Sequence, residues 1–189
     1  KFKCSISLAN REEIIGYIGA LEYRRASIEL AHAFKMIARE KPSVKFLIIG
    51  SGPLKSKLMK LINNDPILRS KLKLIDSVPY EDLPKYMNKL RVLVFPSRQD
   101  GLPNTIIEAM ACGCIVLASP IGGIPDVIIH NKTGFLLKAL SPHAIRETLL
   151  QVMSYSDYRL STLSMNAVTF VKNLFSLESA IKRWHKILK

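Results

Sequence analysis

Along the chain, apolar positions fall into short continuous runs separated by segments of helical periodicity. Six runs have the length of strands: 14–19 (IIGYIG), 44–49 (VKFLII), 72–75 (LKLI), 92–95 (VLVF), 115–118 (IVLA) and 134–137 (GFLL). Several are nearly all apolar, which predicts strands covered on both faces. Between the first two, Ile28, Ala31, Phe34, Ile37 and Ala38 recur at helical spacing and stop before Pro42. Leu83, Tyr86, Met87 and Leu90 form a second amphipathic stretch. Strands alternating with helices predict an α/β fold, a doubly wound, Rossmann-like parallel sheet of about six strands in the order 3-2-1-4-5-6. After Ser141 no strand pattern remains. Helices are expected around Ala144–Met153 and Tyr158–Lys172, with a last one through Trp184, which shares a helical spacing with Ile181 and Leu188 and reads as a packing anchor.

That strand order locates a ligand before any motif is read. Open α/β sheets bind ligands outside the carboxyl ends of the strands where the order reverses, here between strands one and four. The loops in question are 19–25 (GALEYRR) and 96–104 (PSRQDGLPN). In the second, Gly101 permits close backbone approach and Asn104 is a candidate N-cap of a following helix, whose free amides and positive dipole end suit an anion. Glu108, about one turn into that helix, is either a surface carboxylate or, beside the crevice, an acceptor for a ribose diol.

Composition narrows the class. With 189 residues, 48% hydrophobic and 23% charged, the chain reads as one ordinary soluble globular domain, able to bury a core without metal or disulfide staples. Three cysteines, Cys4, Cys112 and Cys114, cannot pair fully, and the last two read as buried packing in a reducing, cytoplasmic setting. The uncharged stretch 109–125 is broken by Gly and Pro, and no signal-peptide pattern opens the sequence. His32, His130, His143 and His185 lack metal-ligand spacing. The net charge of +13 is uneven, +9 over 1–95, neutral over 96–140 and +4 over 141–189. It is read either as solvated helix faces or as attraction to phosphates or an anionic membrane surface. Nucleic acid is not expected as a partner, because the basic residues are scattered without clustered aromatics.

The segment 100–119 (DGLPNTIIEAMACGCIVLAS), with 122–126 (GGIPD) and 132–136 (KTGFL) after it, and 50–53 (GSGP) and 78–83 (VPYEDL) before it, resembles the C-terminal domain of family 4 retaining glycosyltransferases of GT-B architecture. The resemblance runs in order over nearly the whole chain. It implies a nucleotide-sugar-binding domain over 1–189, with the acceptor-binding N-terminal domain outside this chain. The implied reaction moves a hexosyl group from a UDP- or GDP-sugar to a glycan or lipid-linked acceptor. No cofactor and no metal would be required, and the isolated domain would bind donor while hardly turning it over.

Residue by residue, the resemblance implies that Glu108 holds the donor ribose and that Asp100 lies near the donor sugar. Gly101, Leu102, Pro103 and Asn104 would offer amides to diphosphate and sugar, Val78 and Tyr80 would flank the base, and Gly19 would lie beneath the phosphates. Arg25 stands where the family has its phosphate-binding Lys, making Asp100 and Arg25 the implied catalytic pair. The chain departs from the pattern at four places. Asp100 replaces Glu and is shorter by one methylene, about 1.5 Å. Ala20 replaces a second phosphate-binding Arg, a loss that neighbouring Arg24 could offset. Ala26 replaces a Gly, and Asp76-Ser77 stands where a Gly precedes the base-contacting segment. A non-catalytic nucleotide- or glycan-binding module and a GT-B sugar-nucleotide epimerase are the alternatives.

Overall fold

The computed structural model describes residues 1–176 together with Ser179, Ile181 and Trp184. Six strands form one sheet: β1 (Ile14–Ile18), β2 (Lys45–Ile49), β3 (Leu72–Ile75), β4 (Val92–Phe95), β5 (Ile115–Ala118) and β6 (Phe135–Leu136). Their order is β3-β2-β1-β4-β5-β6 and every pairing is parallel. The expected order and class are therefore present. The edges of single elements differ, since β1 stops before Gly19, β2 starts after Val44 and β6 keeps only two residues.

Helices cover both faces, which is why the strands read as apolar on both sides. On one face α1 (Ser27–Glu40), α2 (Lys55–Asn63), α3 (Pro66–Lys71) and α7 (Pro142–Met153) close over Ile15, Tyr17, Phe46, Ile48, Val94 and Leu117. On the other, α4 (Leu83–Met87), α5 (Asn104–Ala111), α6 (Ile124–Val127) and part of α8 (Asp157–Phe175) close over Ile18, Leu47, Leu93, Phe95 and Val116. Successive strand residues thus feed opposite cores, as the two-residue period requires.

α2 and α3 showed in the sequence only as charged surfaces. They are separated at Asp65, which caps α3 by accepting from Leu68 N at 2.9 Å and takes Lys35 and Arg39 on its buried carboxylate. Asn104 is not the cap of α5. Pro103 occupies that position without a side-chain bond, having no acceptor to offer, and Asn104 is the first helical residue. Trp184 is 63% exposed and does not serve as a packing anchor, while Leu188 and His185 lie outside the described residues.

Arg11 is buried although it has no carboxylate partner among the described residues. Its guanidinium donates to Leu90 O at 2.7 Å, Cys112 O at 2.6 Å and Ile6 O at 2.8 Å, tying the first residues to the turns that precede β4 and β5. Cys112 and Cys114 are buried beside it. Burial pushes their thiols up to about 11 and about 12, so both are inert packing groups at neutral pH. Among the described residues, no helix is long and apolar enough to cross a membrane.

Candidate functional site

The loops leaving β1 and β4 meet across the point where the strand order reverses. Arg98 N donates to Arg24 O at 2.7 Å, Ser97 Oγ reaches the same carbonyl at 3.2 Å, and the Arg98 side chain bonds Tyr23 O and Glu29. Underneath, Tyr17 on β1 stacks on Phe95 of β4 and donates its hydroxyl to Ala20 O at 2.6 Å. Burial raises the Tyr17 phenol well above its ordinary value, so it stays a protonated donor that fixes the loop after β1.

On this floor lies the first pair the resemblance singled out. Arg25 stacks over the Phe95 ring, 4.7 Å from its centroid, and forms an ion pair with Asp100. Asp100 also accepts from Ser97 Oγ at 2.8 Å, and the Arg24 guanidinium lies 3.7 Å from its other oxygen while bonding Glu22 at 2.7 Å. The side chains of Arg25 and Asp100 are 13% and 11% exposed, and Arg25 Nε is buried without an acceptor. Two cations therefore converge on one largely buried carboxylate, and with Glu22 on Arg24 the four side chains balance in formal charge. Ala26 holds φ of 45° directly after Arg25, a left-handed position where alanine costs about 1 kcal/mol more than glycine.

Beyond Asp100, Gly101 is exposed and a Cβ built on it would meet nothing within 4 Å. α5 begins beside it with no side-chain cap and no acidic residue in its first turn, which leaves the positive end of its dipole uncompensated. One turn on, Glu108 is half-buried and accepts from the Tyr80 hydroxyl at 2.6 Å, a bond that raises the Tyr80 phenol above its usual value. Val78 packs against the core below, with Leu102 and Ile107. The structure so brings together Arg25 with Asp100, and Tyr80 with Glu108, and sets Gly101–Asn104 between them. Gly19 and Ala20 contribute backbone to the loop after β1. A groove of about 680 Å³ starts at Glu108 and runs past Phe2 and Ile107 to Val171 and Phe175.

Sequence reasoning gave Gly50, Gly52 and Gly122 only as parts of the motifs that carry the resemblance, and did not see that they shape these loops. A Cβ on Gly50 would fall 1.9 Å from Gly19 O, and one on Gly52 2.6 Å from Leu21 O. These glycines let the β1 and β2 loops touch, with Leu21 N bonded to Ser51 O at 2.9 Å and Leu54 N to Leu21 O at 3.0 Å. Gly122 does the same for the second loop, its φ being 53° and its Cβ position 2.2 Å from Asp100 O. Each sits just past a strand's carboxyl end, which is the one signal that could have found it. Ser97 had a weaker signal, three residues before Asp100. Among the described residues, no group of three or more His, Cys, Asp or Glu side chains could hold a metal ion.

A family profile described as glycosyl transferases group 1 matches residues 2–167. A capsular polysaccharide biosynthesis glycosyltransferase of Staphylococcus aureus, CapM, is 29% identical over 174 residues, covering 89% of this chain and 44% of that protein. The chain spans about half the length of the curated relatives it matches. Among solved structures, the C-terminal domain of a group 1 family glycosyl transferase (LpcC) from Francisella tularensis superimposes with a TM-score of 0.81 at 18% identity, covering 93% of this chain and 96% of that one. Anabaena HepE in complex with UDP-glucose does so with 0.80 at 20% identity, covering 96% of this chain and 49% of that one. These two likenesses establish the fold.

Proposed function

The chain belongs to the glycosyl transferases group 1 family, and on that premise we propose that it is the donor-binding domain of a retaining, family 4 hexosyltransferase. It takes a UDP- or GDP-sugar and passes the hexosyl group to a glycan or lipid-linked acceptor held by a further domain, so that this chain alone binds donor and scarcely turns it over. The observation that carries the reading is the Asp100 cluster. A carboxylate held by Ser97 and flanked by two guanidiniums lies beside the open end of α5, at the carboxyl edge of β1 and β4.

In this site the chain's own cations and amides do the chemistry. Negative charge grows on the leaving diphosphate as the glycosidic bond breaks, and fixed donors aimed at that charge lower the barrier without a metal ion. Arg25 supplies the cation for the leaving diphosphate, and Arg24, here bonded to Glu22, would replace the charge that Ala20 lacks. Asp100 holds the Arg25 guanidinium in place and presents its charge towards the donor sugar. Glu108 accepts the ribose hydroxyls. A non-catalytic nucleotide-binding module is the second reading, favoured by Ala20, and turnover of a nucleotide-sugar by the longer protein separates the two.

Calorimetric titration with UDP and with GDP tests the proposal. The chain is expected to bind at least one, and Glu108→Ala to weaken it by about 1.5–3 kcal/mol, the range for hydrogen bonds to a charged group. Unchanged affinity in the variant removes Glu108 from the site, and no binding of either nucleotide overturns the function. The setting is cytoplasmic, with exposed Lys57, Lys60, Arg69 and Lys73 near the β3 edge drawing the domain to anionic membrane. Sedimentation with anionic and neutral liposomes checks this, and salt-insensitive or absent binding refutes it.

A further inference from the structure

Tyr80 is 53% exposed, yet it is held on three sides. Its hydroxyl donates to Glu108 Oε1 at 2.6 Å, the Phe2 ring lies 5.4 Å from its own, and Lys1 Nζ stands 4.1 Å from its centroid. The segment that supplies Lys1 and Phe2 is anchored in turn. The buried Asn88 accepts from Ser5 N at 2.7 Å and donates to Lys3 O at 3.0 Å, and Arg11 donates to Ile6 O. The phenol is thus a fixed donor rather than a free surface group.

A carboxylate offers about four lone-pair directions on two oxygens, and its terminal torsion is soft. A single short bond from a fixed donor sets that torsion. With Oε1 engaged by Tyr80, Oε2 and the remaining lone pair of Oε1 keep one orientation, and a vicinal diol needs two acceptor directions fixed relative to each other. We propose that Tyr80 is a specificity-determining positioning residue: its hydroxyl holds the Glu108 carboxylate in the orientation that accepts both hydroxyls of a nucleoside 2′,3′-diol, so that the pocket favours ribonucleotides over their dideoxy counterparts. This rests on the reading of Glu108 as the ribose acceptor.

The test is the ratio of dissociation constants for a nucleoside diphosphate and its 2′,3′-dideoxy analogue, measured with UDP and with GDP pairs on the 189-residue chain. In Tyr80→Phe the ring and its contacts with Phe2 and Lys1 remain, so the dideoxy ligand should bind as before. The ribonucleotide should weaken roughly three- to tenfold, what one net hydrogen bond amounts to. In a Glu108→Gln background Tyr80→Phe should change the ratio no further. A merely structural role for Tyr80 would shift both ligands together. A ratio that rises in Glu108→Gln but not in Tyr80→Phe overturns the positioning role alone, as does tighter ribonucleotide binding by Tyr80→Phe, which would make the phenol a competitor. A ratio insensitive to Glu108→Gln overturns the reading of Glu108 and this inference with it.

Discussion

Two glycines beside Asp100 separate the demands of folding from those of binding. Gly122 holds φ of 53°, and a Cβ there would fall 2.2 Å from Asp100 O and 2.4 Å from Gly101 O, whereas real Cβ contacts stay beyond 3.0 Å. In Gly122→Ala the loop carrying Asp100 must withdraw by close to 1 Å, stretching the Gly123 N to Gly101 O bond of 3.1 Å. A left-handed alanine costs about 1 kcal/mol, and the weakened hydrogen bond about 0.5–1.5 kcal/mol more. A total near 1.5–2.5 kcal/mol should lower the melting temperature by roughly 3–10 °C for a domain of this size. Gly101 differs, being outside the left-handed region with nothing within 4 Å of a built Cβ. Gly101→Ala should leave stability unchanged or raise it by about 0.4–1 kcal/mol through the unfolded chain, while its methyl obstructs approach of a phosphate to the loop and weakens UDP or GDP. Urea denaturation and nucleotide titration of both variants check the pair. Equal stability losses, or a Gly101→Ala that loses more than about 1 kcal/mol, refute the reasoning.

Two further outcomes follow from buried titratable groups. Arg39, Leu68 N and Lys35 hold the buried Asp65 carboxyl far below its ordinary value, so its contribution to stability is present above the unfolded value of about 3.9 and is lost as pH falls below it. Asp65→Asn, which keeps a capping side chain, should cost about 1–3 kcal/mol at pH 7 by the usual worth of charged hydrogen bonds. Urea midpoints should keep their difference from pH 7 to about pH 4 and draw together only below it, down to pH 2, and a difference that stays constant to pH 2 sinks the idea. Among the thiols, Cys4 is half-buried while burial pushes Cys112 up to about 11 and Cys114 up to about 12. Iodoacetamide near pH 8 should label Cys4 first in the folded chain and all three after unfolding, and early labelling of Cys112 or Cys114 by mass spectrometry contradicts the packing described.

The sheet and its switch point were legible because parallel strands leave a local trace, runs such as Val92–Phe95 that are apolar at every position. Residues that meet across neighbouring strands' ends, Arg25 with Asp100 and Tyr80 with Glu108, were named one by one through the resemblance, but that Tyr80 meets Glu108 came from the structure, since nothing local in 19–25 or 78–83 says which side chain across the crevice each will meet. Groups whose meaning lies wholly in remote backbone stayed hidden. Arg11 reads as one more surface cation, and only the carbonyls of Leu90 and Cys112, some eighty and a hundred residues away, turn it into a buried clasp. Gly50 and Gly122 entered only as letters of the resembling motifs, and the approach of Gly19 O and Asp100 O is what makes them obligatory. Trp184 marks the opposite failure. Helical spacing with Ile181 defined an apolar face but not a surface to cover it, and both residues are exposed. Periodicity reports which side of an element is apolar, whereas burial also needs a partner surface. Among the described residues such surfaces exist where the sheet supplies them, which is why the strand order and the helices packed on it agree with the sequence reading while the exposed Trp184 does not.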